Sequence, residues 1–111
     1  MQITLTDRVA LVTGGSRGIG RAISLALAAA GATVVVNYRG NAAAADETIA
    51  AISAAGGKAI AIQADVANGE DVKRLFSEVS SAYGRLDILV NNAGITRDTL
   101  MMRMKDEDWD A

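Results

Sequence analysis

Short apolar runs alternate along the chain with stretches in which apolar residues recur every three or four positions. Val9-Ala10-Leu11-Val12 is unbroken by polar residues, as in a strand buried on both faces, and predicts a first strand over Arg8 to Thr13. Ile19, Ile23, Ala26, Leu27 and Ala30 then fall at helical spacing, predicting a helix over Gly18 to Ala30 with Gly31 as its left-handed cap. Thr33 to Tyr38 is rich in β-branched residues and predicts a second strand. Asn41 can cap a second helix reaching about Ala55, with Ala45, Ile49 and Ile52 on its apolar face and Gly56-Gly57 as its stop. Lys58 to Asp65 alternates less cleanly and is read as a third strand. Asn68 or Asp71 opens a third helix with Val72, Leu75, Phe76, Val79 and Tyr83 on one stripe and Gly84 at its end. Leu86 to Asn91 is a fourth strand, and Gly94 to Met104 reads as a loop. Asp106-Glu107-Asp108 then places acid at the start of another helix, where the dipole favours it.

Strands alternating with helices imply crossover connections and a parallel sheet covered on both faces. The fold class expected is α/β, a Rossmann-type doubly wound parallel sheet whose N-terminal portion has strand order 3-2-1-4. Its ligand crevice would lie at the carboxyl ends of the first and fourth strands. Between the first strand and first helix stands Thr13-Gly14-Gly15-Ser16-Arg17-Gly18-Ile19-Gly20. Glycines let a backbone turn tightly and come close to a ligand, and a helix start offers free N–H groups to a phosphate. Three spaced glycines between a strand and a helix therefore point to a nucleotide site, although the spacing differs from G-x-G-x-x-G.

Composition narrows this picture mainly by exclusion. The 111 residues suffice for one compact domain, and charges nearly balance at −2, so neither a nucleic-acid surface nor a basic membrane patch is indicated. The chain has no cysteine and no histidine, which removes disulfide and thiolate chemistry and leaves a metal site only carboxylates, so no metal is expected. No apolar run approaches the ~20 residues of a membrane span, and Met1 to Asp7 is short and polar. The expectation is a cytoplasmic protein without membrane or nucleic-acid partners.

The motifs together resemble the N-terminal part of a classical short-chain dehydrogenase/reductase, most closely the bacterial 3-oxoacyl-[acyl-carrier-protein] reductase group. The glycine run matches the family's T-G-x-x-x-G-x-G, and Asn91-Asn92-Ala93-Gly94 matches its N-N-A-G after the fourth strand. Asp65-Val66 stands where the family has a D-V pair, and Gly94-Ile95-Thr96-Arg97-Asp98 with Met102-Arg103-Met104-Lys105 resembles the reductase group in particular. The resemblance covers the whole chain. It implies that residues 1–111 are the dinucleotide-binding part of a single Rossmann domain. The family's catalytic Asn, Ser, Tyr and Lys would lie beyond Ala111, so no catalytic residue is expected in this chain, and residues 1–111 alone are expected to be inactive.

The resemblance also implies cofactor contacts. Gly14, Gly18 and Gly20 would shape the turn, with backbone N–H groups from Ser16 to Ile19 facing the pyrophosphate. Ser16 either caps the helix or bonds a phosphate. Asp65 resembles the acceptor for the adenine amino group, with Val66 packing on the ring; the alternative is a strand end followed by a helix cap. Asn92, Ala93 and Gly94 would form the floor under the ribose and nicotinamide, and Asn91 either joins them or ties strands together. Phe76, Tyr83 and Trp109 are read as packing residues. Selection of NAD calls for an acid at the end of the second strand, roughly 20 residues past the glycines. Asn37-Tyr38-Arg39 stands there instead, with no acid before Asp46. Arg39, joined by Arg17 from the turn, would attract the 2′-phosphate of NADP(H); the alternative for Arg39 is a solvated loop residue.

The implied activity is NADPH-dependent reduction of a 3-oxoacyl thioester, carried on acyl-carrier protein or CoA, to the 3-hydroxyacyl form in fatty-acid synthesis. The full-length protein would be a homotetramer. Two alternatives stand beside it, an acetoacetyl-CoA reductase and a non-catalytic half-Rossmann binding fragment. For residues 1–111 alone, the fourth strand is expected to be a sheet edge exposing Leu86, Ile88, Leu89 and Val90.

Overall fold

The computed structural model describes residues 4–92 and 102–103. The elements run β1 (Val9–Thr13), α1 (Gly18–Ala29), β2 (Thr33–Tyr38), α2 (Ala42–Ala54), β3 (Lys58–Gln63), α3 (Gly69–Tyr83), β4 (Ile88–Asn91) and β5 (Met102–Arg103). One sheet has the order β3-β2-β1-β4-β5. The first four strands are parallel, with Leu11 opposite both Val35 and Leu89. The expected 3-2-1-4 order is therefore present.

Alternation along the strands builds two cores, since successive side chains leave a strand on opposite faces. Ala10, Val12, Val34, Val36, Ile88 and Val90 pack on one side with Ala28 of α1 and Ile52 of α2. Val9, Leu11, Val35 and Ile62 pack on the other with Leu75 and Val79 of α3. Phe76 and Tyr83 lie against this second cluster as packing groups, and burial pushes the Tyr83 hydroxyl above its ordinary pKa.

Helix ends fall where glycine and asparagine place them. Gly31 has φ 106°, and Gly31 N–H and Ala32 N–H return to the carbonyls of Ala28 and Leu27, a Schellman closure of α1. Gly56 and Gly57 close α2 in the same way on Ser53 and Ile52. Asn41 Oδ1 accepts from Ala44 N–H, and Asn68 Oδ1 accepts from Glu70 and Asp71 N–H, so Asn68 rather than Asp71 caps α3.

Three expectations need correction. Ile23 and Leu27 of the predicted stripe pack against the core, but the buried positions of α1 are Gly20, Ser24 and Ala28, whereas Ile19 is 64 % exposed and Ala26 is exposed. Close approach of helix to sheet selects small residues, and the buried Ser24 hydroxyl is satisfied by donating to the Gly20 carbonyl at 2.9 Å. The segment read as a loop from Gly94 to Met104 contains β5, which pairs antiparallel with β4 through Leu89–Arg103 and Val90–Met102. Unpaired N–H and C=O groups of an edge recruit nearby backbone, so β4 is not the sheet edge expected of it. Leu86, Ile88 and Val90 are buried within the two cores, and Leu89 is half-buried. The helix expected after Asp106, and with it Trp109, lies outside the described residues.

Asp87 anchors the opposite end of the sheet. Its carboxylate is buried and accepts from Val9 N–H at 2.8 Å and from Arg85 Nε at 2.9 Å, with Arg8 at 3.5 Å. Burial pushes its pKa up, but the Arg85 and Val9 hydrogen bonds and the charges of Arg85 and Arg8 outweigh it, leaving the carboxyl below its ordinary range.

Candidate nucleotide site

The turn between β1 and α1 is held in a conformation that L side chains resist. Gly14 has φ 62° and Gly18 φ 55°. Gly20 is required for a different reason, because a Cβ there would stand 2.1 Å from the Gly14 carbonyl oxygen and 2.7 Å from Asn92 Nδ2. The start of α1 is thus pressed against the turn at a distance only glycine permits.

Side chains from three neighbouring strand ends fix the turn. Asn37, buried at the end of β2, accepts from Gly14 N–H through Oδ1 at 3.2 Å. Its Nδ2 reaches the carbonyls of Ile62 and Ala64 at 3.3 and 3.2 Å, and its own carbonyl accepts from Gly15 N–H at 2.9 Å. On the other side, the Thr13 hydroxyl lies 3.2 Å from Asn91 Oδ1 and accepts from Asn92 N–H at 2.9 Å. Asn92 Nδ2 donates to the Gly14 carbonyl at 3.2 Å. Asn91 therefore ties β4 to β1, the second of the two readings weighed for it. Thr48, buried in α2, lies 3.1 Å from the Ser16 carbonyl.

The Asn37 and Thr48 bridges were not among the residues singled out from the sequence. The available signals were a carboxamide closing an otherwise apolar β-branched strand and a threonine on the buried side of an alanine-rich helix. Buried polar groups need partners, and these find theirs in the turn.

Ser16 is buried but does not cap α1. The N-cap is Arg17, whose side chain makes no capping bond, and the first turn carries no acid. A helix start with no side-chain acceptor on its first N–H groups is what an anion requires. Gly18 and Ile19 are exposed at this start, and no atom lies within 4 Å of where a Gly18 Cβ would project. A cavity of about 140 Å³ lies beside the turn, lined by Gly14 just after β1, Asn37 near the end of β2 with Arg39 beyond it, and Asp65, Val66 and Ala67 after β3. Arg17 is not among its lining residues. Val66 also borders a larger cavity, about 290 Å³, with Thr13, Leu75, Phe76, Leu89 and Asn91.

The expectation of no carboxylate near Arg39 holds for β2 but not for the assembled site. Asp65 Oδ2 is 3.6 Å from Arg39 Nη2, while Oδ1 accepts from Ala67 N–H at 3.0 Å. The arginine side chain is 79 % exposed and the acid 33 %, so this is a weak, solvent-screened pair. Ala93 and Gly94 lie outside the described residues. Gly14, Arg39, Asp65 and Val66 are thus gathered around one cavity, with Ser16 to Gly20 on the adjoining turn and Asn92 bonded behind it.

A doubly wound sheet with a glycine turn at the carboxyl end of its central strand defines a Rossmann-type nucleotide-binding class. The short chain dehydrogenase family matches residues 8–111, and the chain belongs to that family of oxidoreductases. A 3-oxoacyl-[acyl-carrier-protein] reductase of Synechocystis sp. is 60 % identical over 107 residues, which are 96 % of this chain and 43 % of that protein. The reductase of the same description from Staphylococcus epidermidis is 53 % identical over 94 % of the chain and 43 % of its own length. Among solved structures, a dehydrogenase/reductase from Sinorhizobium meliloti superposes with a TM-score of 0.81 at 47 % identity, covering 85 % of this chain and 37 % of that one. A short chain dehydrogenase from Burkholderia cenocepacia in complex with NADP gives 0.78 at 54 % identity, over 84 % and 38 %. The chain spans less than half the length of these relatives. No helix among the described residues is long and apolar enough to cross a membrane.

Proposed function

We propose that this chain is the cofactor-binding half of an NADPH-dependent reductase that converts 3-oxoacyl thioesters on acyl-carrier protein to 3-hydroxyacyl thioesters in fatty-acid synthesis. The observation that carries the reading is Arg39 at the mouth of the cavity beside the glycine turn, in a chain 53–60 % identical to 3-oxoacyl-[acyl-carrier-protein] reductases. The uncapped start of α1 fits a pyrophosphate, the cavity between Asn37 and Val66 is of a size for the adenine ring, and Arg39 fits a 2′-phosphate as a charge-assisted donor.

In this reading Gly14, Ser16, Arg17, Gly18, Ile19 and Gly20 present the turn, and Arg39 selects the phosphate. Asp65 and Val66 hold the adenine, and Asn92, Ala93 and Gly94 support the rest of the cofactor. Bound NADPH would supply the hydride. The residues of this chain bind and orient; the proton-transfer groups belong to the remainder of the full-length protein, a homotetramer of the cytoplasm in this reading.

The test is the full-length protein assayed on acetoacetyl-acyl-carrier protein and acetoacetyl-CoA with each nicotinamide cofactor. The reading expects kcat/KM to be highest for the carrier-protein substrate with NADPH. Preference for CoA would move it to an acetoacetyl-CoA reductase, and preference for NADH would remove Arg39 from the selection of cofactor.

A further inference from the structure

Arg39 stands beyond the end of the sheet ladder, which closes with Tyr38 paired to Gln63. The peptide leading into it is held by Ala64 N–H, which donates to the Tyr38 carbonyl at 2.9 Å, and the peptide leading out of it is held by a side chain. Gln63, the last residue of the edge strand β3, donates from Nε2 to the Arg39 carbonyl at 2.9 Å. Gln63 is held in turn by α3, because Arg74 Nη2 donates to its carbonyl oxygen at 2.7 Å and lies 3.4 Å from its Oε1. Arg74 lies 3.9 Å from Asp71 Oδ2, and the same oxygen accepts from Asp65 N–H at 2.8 Å. Asp65 returns the path to the Arg39 guanidinium. Arg39, Gln63, Asp65, Asp71 and Arg74, from the ends of β2 and β3 and from α3, thus form a closed polar ring.

We propose that Gln63 is a positioning residue for selection of the phosphorylated cofactor: by tethering the Arg39 main chain it keeps the guanidinium within reach of a ribose 2′-phosphate. The inference rests on the reading of Arg39 given above. Gln63 does not line the nucleotide cavity, so its influence passes through Arg39. A long, exposed side chain on an untethered loop must lose more freedom when it engages a ligand, and a fixed backbone removes part of that loss beforehand. The effect should appear only with a ligand that uses the arginine.

The experiment is calorimetric titration of the full-length protein with 2′,5′-ADP and with 5′-AMP, two probes that differ by the 2′-phosphate. Gln63→Met keeps the length of the side chain and removes the donor. The expected result is affinity for 2′,5′-ADP about threefold to tenfold weaker, the scale of one hydrogen bond, with 5′-AMP unchanged. In an Arg39→Met background, Gln63→Met is expected to add nothing, the mark of two residues acting as one unit. Equal loss for both probes, or loss for neither, overturns the inference. If Arg39→Met narrows the gap between the probes and Gln63→Met does not, only the role of Gln63 fails. If Arg39→Met leaves the gap unchanged, the reading of Arg39 fails and the inference falls with it.

Discussion

Replacing Gly20 with alanine would drive a methyl group to 2.1 Å from the Gly14 carbonyl oxygen, where ordinary van der Waals contact begins at 3.4 Å. The helix start and the turn would have to separate by about 1.3 Å to accept it. Gly14 cannot yield easily, since its N–H is bonded to Asn37 Oδ1 and its carbonyl to Asn92 Nδ2. Overpacking of this kind costs about 1–3 kcal/mol, and each hydrogen bond broken adds about 1 kcal/mol. Alanine's better helix propensity offsets about 1 kcal/mol, so the net loss expected is about 2–3 kcal/mol. In a domain of this size that corresponds to a fall in Tm of about 10–20 °C. Gly18→Ala is the control. Its methyl would enter open space, and the penalty is the left-handed conformation, roughly 1–2 kcal/mol. Thermal unfolding followed by circular dichroism, with 5′-AMP binding measured alongside, separates the two. A Gly20→Ala protein no less stable than Gly18→Ala would refute the argument that close contact sets the turn.

Other predictions follow from single side chains. Asn37→Asp would place a carboxylate against the carbonyls of Ile62 and Ala64, and is expected to lower Tm more than Asn37→Ala while weakening nucleotide binding; equal Tm values would deny the donor role of Nδ2. Arg39→Asp is expected to shift cofactor preference from NADPH toward NADH in steady-state kinetics, and unchanged preference would count against its role. Because the Asp87 carboxyl is depressed in the folded state, its stabilisation is complete above the ordinary value of 3.8 and drains as pH falls toward the folded-state value. Asp87→Asn should flatten that acid limb in denaturant titrations while lowering stability at neutral pH. Residues 1–111 alone are expected to leave NADPH unconsumed in the presence of an acetoacetyl thioester, and measurable turnover would overturn that expectation.

Most of the fold was legible because this sheet is buried on both faces and leaves long apolar runs. TVVVNY and the Val9–Val12 run mark strands whichever face is considered, and glycines at 31, 56 and 84 mark the helix ends. The stripe of α1 was legible at Ile23 and Leu27 but misread at Ile19, because hydrophobic periodicity weighs Ile19 above Gly20 and Ser24, although close packing favours the smaller pair. β5 escaped because two residues carry no periodicity, and what recruits them is the backbone of β4. In the site, glycine spacing marks where a backbone turns. It does not reveal that Asn37 and Thr48 hold that turn, since each is one polar residue in an apolar element and finds its partner through the fold.

Strand order explains how a turn after β1 can be held this firmly. β1 lies between β2 and β4, so the chain leaving its carboxyl end can be reached from both sides. Asn37 arrives from β2 and grips Gly14 N–H; Asn92, just past β4, grips the Gly14 carbonyl. One peptide neighbour of the turn is therefore clamped through its donor and another through its acceptor, by side chains that could not meet it at a sheet edge. Thr48 adds a third hold from the helix layer on Ser16. A turn anchored in this way does not have to be ordered by its ligand, and the entropy of forming the site is met during folding rather than during binding. The turn that neighbouring strands clamp from both sides is also the one where a helix start lies open, and that coincidence is what suits the crevice to the proposed cofactor.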